Sequence, residues 1–257
     1  MDILVLMKVV PDVVEELEVG SDGKSLDSSF LRTIVNERDD HALEQALILK
    51  DKHGGKVTVL ALDAPDLDDL LFTELAKGVD RAVKVCGVES ALSTQTAARL
   101  LGDVIAKTPG LLPVDLILTG VSAIDDLDGL MAAPIAQQLG WPYAGVVTQV
   151  AFADKTATVI KEFAGGVRGE YDVPMPAVLG IQAAEKPPRY VPVAKVRAAM
   201  KSQTIETVDA PAVEAVSGVA VQQLAKPQVA GHAEMLEGSP EEVAGKICEL
   251  LSKRGLL

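Results

Sequence analysis

Residues 114–142, VDLILTGVSAIDDLDGLMAAPIAQQLGWP, contain a strand-like run, a loop and a helix-like segment in direct succession. The apolar run LILT stops at Gly120, and the loop that follows carries Asp125, Asp126 and Asp128. Three carboxylates in front of an apolar segment could be a catalytic cluster, a metal site or the rim of a nucleotide pocket. The rest of the chain has to decide between these readings.

The same alternation of short apolar runs and helical patterns fills the chain from its first residue to about Pro142. The strand-like runs are ILVLMKVV, VTVLAL, RAVKVCG and VDLILTG, and the helical segments are DDHALEQALILKDKHGG, DLDDLLFTELAKG, STQTAARLLGDVIAKT and DGLMAAPIAQQLGWP. Strands that alternate with helices are joined by right-handed crossovers and lie parallel in one sheet. The pattern predicts an α/β fold with a mainly parallel sheet.

The composition agrees with such a buried sheet. The chain has 257 residues, which suits one large domain or one domain with an appendage. Hydrophobic residues make up 48% of it and aromatic residues only 3%, so the core must consist of Val, Leu, Ala and Ile. These residues are typical of parallel strands that helices cover on both faces.

Charge and cysteine content exclude several classes of function. The net charge of −13 argues against nucleic acid as a partner, because phosphate backbones need a surplus of Lys and Arg. Cys86 and Cys248 lie far apart and match no metal-binding spacing, which indicates packing residues in a reducing compartment. Asp2 and Lys8 make the N-terminus unlike a signal peptide, and no apolar run approaches the ~20 residues of a membrane span. We expect a cytoplasmic protein without direct membrane insertion.

The second half of the chain has a different rhythm. AGVVTQVAFAD, KTATVIKEF, VRGEYDV and PAVLGIQ are strand-like, and we expect them to form an antiparallel extension of the same sheet. From Glu185 onward the chain becomes irregular, with three prolines in EKPPRYVP. We therefore divide it into a nucleotide-binding α/β domain, residues 1–190, and a C-terminal extended arm with a helix, residues 191–257.

The last helix carries clear start signals. Ser239 is its predicted N-cap, Pro240 occupies the first turn, and Glu242 completes a capping box. Its apolar face consists of Val243, Ile247, Leu250 and Leu251. An amphipathic helix at the end of an arm with little core of its own predicts wrapping onto a partner subunit. Packing of the helix back onto its own domain remains the alternative.

In an open parallel sheet, ligands bind where the strands end, at the point where the strand order reverses. Lys8, Asp63 and Gly120 fall at or near the ends of predicted strands, and a further loop places Asn36 and Asp39 just before a helix. These positions predict a ligand site at the carboxyl edge of the sheet.

The acids of the quoted loop do not form a recognisable catalytic set. No nucleophile or base accompanies Asp125 and Asp126 in sequence, and no phosphate-gripping lysine follows that would indicate magnesium. We therefore predict neither catalytic residues nor a metal site. One interpretation is that the acids cap the helix that follows and interact with its macrodipole.

A nucleotide interpretation is compatible with that one. The helix from Gly129 to Leu139 would present free backbone amides to a phosphate, and Gly120 and Gly129 would allow a close backbone approach. Because the loop is acidic, a monophosphate fits it better than a triphosphate. GxGxxG and Walker A motifs are absent, so the usual dinucleotide and P-loop sites are excluded.

The chain resembles the beta subunit of electron transfer flavoproteins over essentially its whole length. The resemblance rests on ordered segments: ILVLMKVVPD, VNERDDHALEQALILKD, LAKGVDRAVKV, GVSAIDDLDG, KEFAGGVRGEYDVPMPAVLGI, PPRY and PQVAGHAEMLEGSPEEVAGKICELLSKRG. It implies a doubly wound, adenine nucleotide alpha hydrolase-like fold that pairs with a larger alpha subunit.

The resemblance also implies a function. Such a protein is an electron carrier rather than an enzyme, and shuttles electrons through FAD shared with the alpha subunit. Its donor would be a flavin dehydrogenase and its acceptor a membrane quinone reductase or similar protein, with AMP bound structurally in the beta subunit. The implied pocket residues are Leu6, Asn36, Asp39, Asp63, Gly120, Ser122, Ala123, Asp125, Asp126, Gly129, Leu130 and Met131.

The chain departs from the family pattern at several positions. Ser122 and Leu130 stand where the family often has Gln, and Glu37 replaces the proline of the Asn loop. Ala164 stands where an acid usually precedes the Gly pair. Glu185 replaces a leucine that often docks onto dehydrogenase partners.

Other functions remain open at this point. A bifurcating flavoprotein would hold a second FAD in the beta pocket, but its family members carry an Asp-Gly-Asp-Thr-type loop where this chain has residues 125–128, DDLD. A standalone nucleotide-binding regulatory protein of the stress-protein type would have no use for the long tail 191–257. An ATP pyrophosphatase would need a Ser-Gly-Gly loop where residues 8–11 read KVVP.

Overall fold

A computed structural model describes residues 1–27, 29, 31–88, 92–126, 128–129, 131–216, 220–227, 231 and 233–257. The strands are β1 Asp2–Met7, β2 Val9–Pro11, β3 Thr33–Val35, β4 Lys56–Leu62, β5 Arg81–Cys86, β6 Leu116–Gly120, β7 Tyr143–Ala153, β8 Thr156–Glu162, β9 Arg168–Pro174, β10 Ala177–Ile181 and β11 Ile205–Asp209. The helices are α1 Glu37–His53, α2 Leu67–Lys77, α3 Thr94–Lys107, α4 Ala132–Leu139, α5 Val193–Ser202 and α6 Pro240–Lys253.

Nine of the strands form one sheet in the order β11-β5-β4-β1-β6-β10-β7-β8-β9. Every pair from β11 to β7 is parallel, and β8 and β9 continue the sheet in antiparallel fashion. From β1 the chain builds outward to β4 and β5 on one side, and then crosses to β6 on the other. The predicted doubly wound, mainly parallel α/β fold is confirmed, and its switch point lies between β1 and β6.

The core has one layer on each face of the sheet, as the composition predicts. Val5 of β1 packs in a cluster with Leu43 and Leu47 of α1. Leu4 of the same strand packs in a second cluster on the opposite face, with Ile105 of α3. Alternate residues of a strand point to opposite faces, so a strand covered on both sides must be apolar throughout.

The expected antiparallel extension is correct for three of its four segments. The β7–β8 and β8–β9 pairs are antiparallel, as expected. β10, however, lies between β6 and β7 and is parallel to both. All residues of β10 are buried, whereas β7 and β9 have many exposed positions. A fully apolar strand is stable only in the interior of the sheet, so the prediction for PAVLGIQ was wrong.

The sheet also extends beyond residue 190, where we placed the end of the domain. β11 pairs in parallel with β5, from Ile205 beside Ala82 to Asp209 beside Cys86. Without β11, β5 would be an open edge strand. The chain outside the sheet therefore begins at residue 210, and its expected partner-wrapping role stays a prediction.

The predicted last helix and its capping box are confirmed. Ser239 accepts a hydrogen bond from the amide of Glu242, whose side chain in turn accepts one from the Ser239 amide. None of the residues of α6 is buried, and Ile247 and Leu250 remain 44% and 45% exposed. The apolar face of α6 is therefore left open in the single chain.

Candidate functional site

A cavity of about 420 Å³ lies at the switch point between β1 and β6. The ends of β1, β4 and β6 form its floor, and the starts of α1 and α3 and the loop before α4 form its walls. Its size is that of a small-molecule site. The structure brings together in its lining eleven of the predicted residues: Leu6, Asn36, Asp39, Asp63, Gly120, Ser122, Ala123, Asp125, Asp126, Gly129 and Met131. The remaining one, Leu130, lies outside the described residues.

Asp39 joins the two strands that border the switch point. Its Oδ2 accepts a hydrogen bond of 2.9 Å from the amide of Lys8, directly after β1. Its Oδ1 accepts one of 2.8 Å from the amide of Gly120, the last residue of β6. Because Asp39 is buried at 6% exposure, burial raises the pKa of its carboxyl to about 7, although these amides, Asn36 and the charge of Lys8 oppose the shift.

The reason for a glycine at position 120 is the approach of α1. A Cβ built on Gly120 would lie 2.5 Å from Asp39 Oδ1 and 2.6 Å from Arg38 Cβ. Sequence reasoning assigned this space to a ligand, but the first turn of α1 occupies it. Gly129 has a φ of +63°, which only glycine adopts readily.

Lys8 is the cationic partner of the acidic loop. Its Nζ lies 2.8 Å from Asp125 Oδ1 and 3.1 Å from Asp126 Oδ2. Burial by itself would lower the pKa of Lys8, but the hydrogen bonds and charges of the two acids outweigh it and raise that pKa. The lysine therefore stays charged and ties the end of β1 to the loop after β6.

Asp126 also organises the loop itself. It accepts hydrogen bonds from the amide of Ala123 at 3.2 Å and from Thr94 Oγ1 at 3.3 Å. On the other side, Asn36 donates from Nδ2 to the Ser122 carbonyl oxygen at 3.0 Å. The loop is therefore held by α1, α3 and β1 together.

The interpretation that Asp125 and Asp126 cap the next helix was wrong. α4 begins at Ala132 rather than near Gly129, and its N-cap Met131 provides no side-chain cap. Its first turn contains no acidic residue. Asp125 and Asp126 turn toward Lys8 because a paired carboxylate in a half-buried loop is more stable than an unpaired one.

The apolar wall of the cavity escaped sequence reasoning. Val88, Leu92, Ala97 and Leu101 contribute it, from the connection after β5 and from α3. The signal was present, since β5 is another parallel strand whose carboxyl end meets the same edge. Among the described residues no cluster of His, Cys, Asp and Glu is arranged to hold a metal ion. None of the described helices is both long enough and apolar enough to cross a bilayer.

The chain after β11 runs along the α3 side of this edge. The amide of Ala210 donates to the Cys86 carbonyl at 2.8 Å. Ser93 Oγ donates to the Val216 carbonyl at 3.1 Å, and the Val216 amide donates to Thr96 Oγ1 at 3.0 Å. The first part of the arm is thus anchored on its own subunit, beside the cavity.

Comparison with known proteins identifies the family. The family model described as electron transfer flavoprotein domain matches residues 28–213. The electron transfer flavoprotein subunit beta of Methylophilus methylotrophus is 31% identical over 268 residues, which cover 98% of each chain. The chain belongs to the electron transfer flavoprotein beta subunit family. The corresponding subunit of Syntrophomonas wolfei is 31% identical, covering 96% of this chain and 94% of that protein. The caffeyl-CoA reductase-Etf complex subunit CarD of Acetobacterium woodii is 30% identical, with 75% and 72% covered.

As an electron transfer flavoprotein beta subunit, the chain takes part in electron transport with an alpha subunit. Glu185 and the PPRY segment make polar contacts with α1 of the same chain. Glu185, just before the PPRY segment, pairs with Lys52 at 3.1 Å and exchanges hydrogen bonds with Gln45. Arg189 of the PPRY segment binds Glu44 on the same helix, α1. These contacts hold the segment against α1 of the beta subunit itself.

Proposed function

We propose that the chain is the beta subunit of a cytoplasmic, heterodimeric electron transfer flavoprotein. It carries electrons through FAD held at the interface with the alpha subunit, from a flavin dehydrogenase to a membrane quinone reductase or a similar acceptor. The cavity at the switch point binds AMP in a structural role. The single observation that supports this most is that cavity, formed by eleven expected residues in a chain of this family.

The cavity suits an adenosine monophosphate. Leu62, Val88 and Leu101 give it an apolar wall against which a flat purine ring can pack. Gly129 and Met131 lie in the lining directly before α4, whose first backbone amides have no side-chain cap from Met131. Such amides are suited to a phosphate. The residues present therefore fit AMP without a phosphate-binding motif of the usual kinds.

The chain supplies binding surfaces rather than catalytic groups. FAD, when bound, supplies the electron transfer chemistry, while the protein provides orientation, environment and partner surfaces. The exposed apolar face of α6, which includes Ile247 and Leu250, is the surface that we assign to the alpha subunit. The ion pairs of Lys8 with Asp125 and Asp126 tie the end of β1 to the loop after β6 and so hold this wall of the cavity in place.

The test is co-expression with the alpha subunit, followed by purification through a tag on the beta chain. We expect a stable pair with flavin absorbance that a flavin dehydrogenase and its substrate bleach. A stable pair without flavin would contradict the electron carrier role. Two flavins per pair, with no AMP, would instead show that the beta cavity holds a second FAD.

A further inference from the structure

The charged side chains of the cavity are mostly acidic. Asp63, Asp125 and Asp126 line it together with the buried Asp39. Lys8 is the only cationic side chain among the described residues of the lining. Lys84 approaches Asp63 at 3.6 Å from outside the lining, and lies closer to Asp68, at 2.7 Å.

The charge of Lys8 is already committed within the protein. Its Nζ is within 3.1 Å of both Asp125 and Asp126, so this group of three has one more negative than positive charge. Asp63 also lines the cavity, and its partner Lys84 lies closer to Asp68. A ligand that enters the cavity therefore meets net negative charge with no uncommitted lysine or arginine in the described lining.

Attraction for an anion therefore comes from backbone amides and neutral polar side chains rather than from a free cation in the described lining. α4 is a helix of eight residues, and the loop that leads into it, with Gly129 and Met131, borders the cavity. The amino end of a helix is equivalent to roughly half a positive charge, which suits a single phosphate close to it. Each further phosphate adds negative charge to a cavity whose described lining already carries Asp63, Asp125 and Asp126.

We propose that the cavity selects among adenosine compounds by charge, and that the Asp125–Asp126 pair sets this selectivity. AMP is bound more tightly than ADP, and ADP more tightly than ATP, because affinity falls with each further phosphate. This inference rests on the proposed function, since it takes adenosine compounds as the ligand class. Salt screens the repulsion between these carboxylates and added phosphates, with a Debye length of ~10 Å at about 0.1 M, so the discrimination weakens at high ionic strength.

The experiment measures displacement of radiolabelled AMP from the full-length chain by adenosine, AMP, ADP and ATP, in EDTA and low salt. Three proteins are compared: the natural chain, Asp125→Asn/Asp126→Asn, and the control Asp154→Asn/Glu170→Gln. The control removes the same charge from two exposed residues that lie outside the cavity lining, one of them on the far edge strand β9.

In the natural chain we expect ADP to bind at least about fivefold more weakly than AMP, and ATP more weakly again. In Asp125→Asn/Asp126→Asn we expect ADP and ATP to gain at least about fivefold, because Lys8 is released, while adenosine changes less than about twofold. The control should retain the natural order. Asp125→Asn alone serves as a second variant, since Asp125 pairs with Lys8 and no hydrogen bond from a backbone amide to it is found in the described part of the chain.

Equal binding of AMP and ATP by the natural chain would overturn the proposal, as would an equal gain for adenosine and ATP in the Asn variants. Failure of AMP to bind would overturn it as well. Flavin content of the heterodimer, measured separately, distinguishes the two proposals. A flavin-containing pair without charge selectivity sinks this inference alone, and a selective cavity in a pair without flavin sinks the electron carrier role alone.

Discussion

At the scale of single residues, the site depends on Asp39 and Gly120 more than on the acids that first attract attention. Asp39 accepts hydrogen bonds from two strand ends, and Gly120 leaves the space that lets α1 reach them. Asp125 and Asp126 hold the loop through Lys8, a contact between residues 117 or more positions apart that no local pattern reveals.

Asp39→Ala should destabilise the fold by about 2–4 kcal/mol, because two buried amides lose their acceptor. The Asp39→Asn variant keeps one side-chain oxygen as an acceptor but cannot ionise, so it tests the effect of the Asp39 charge. Since the folded pKa of about 7 exceeds the ordinary value of 3.8, the native state binds the extra proton. The contribution of Asp39 to stability therefore falls as pH rises from about 4 to about 7. We therefore expect the Asp39→Asn variant to gain stability relative to the natural chain between about pH 4 and about pH 7. Urea unfolding of both proteins across this range measures the difference in their free energies of unfolding. A difference that does not change with pH would contradict the raised pKa of Asp39.

Gly120→Ala should cost about 1–3 kcal/mol, because the new methyl group overlaps Asp39 and Arg38. The matched control is Gly245→Ala in α6, where a Cβ meets open space. That control should be neutral or stabilising by up to about 1 kcal/mol, since alanine favours helix. Thermal or urea unfolding of both variants checks the pair, and equal stabilities would argue against close packing at Gly120.

At the scale of elements, the sequence predicts most strands and helices of the sheet but not all their places. The order of β1, β4, β5 and β6 follows from alternation and right-handed crossovers. The insertion of β10 could have been read from its uninterrupted apolar residues. β11 could not have been predicted, because only two of its five side chains, Ile205 and Val208, are even half-buried, which is too few for a recognisable hydrophobic pattern. It forms a strand because it pairs with the open edge of β5. Lys8 was visible at a strand end, but its partners only become neighbours once β1 and β6 pair.

The anchoring of the arm on α3 gives a prediction at this scale. Thr96→Val removes the hydroxyl that accepts a hydrogen bond from the Val216 amide. We expect faster hydrogen exchange at Val216 and faster proteolysis after residue 210, with the sheet unchanged. Thr73→Val is the control, because Thr73 Oγ1 donates only within α2, to the Asp69 carbonyl. Unchanged exchange at Val216 in the Thr96 variant would show that the arm is held by other contacts.

At the scale of the whole molecule, the sheet domain contains the cavity while the chain beyond Asp209 leaves an apolar helix uncovered. An apolar helix face left open to water, on a chain with net charge −13, indicates an interaction surface. This arrangement agrees with a subunit that is complete only in a heterodimer.

Ile247→Asp/Leu250→Asp should abolish association with the alpha subunit and leave the stability of the isolated chain unchanged, because neither residue is buried there. Glu249→Gln, an exposed position in the same helix, is the control. Sedimentation velocity with the alpha subunit measures association. Undiminished pairing of the double variant would remove α6 from the interface.

We propose that this chain is the nucleotide-binding half of a flavin-carrying pair. Its most direct test is to purify the natural heterodimer, denature it, and count the released nucleotides by mass spectrometry and absorbance. We expect one FAD and one AMP per heterodimer, and loss of AMP when Asp39 is replaced by Ala. A heterodimer that releases no flavin would contradict it.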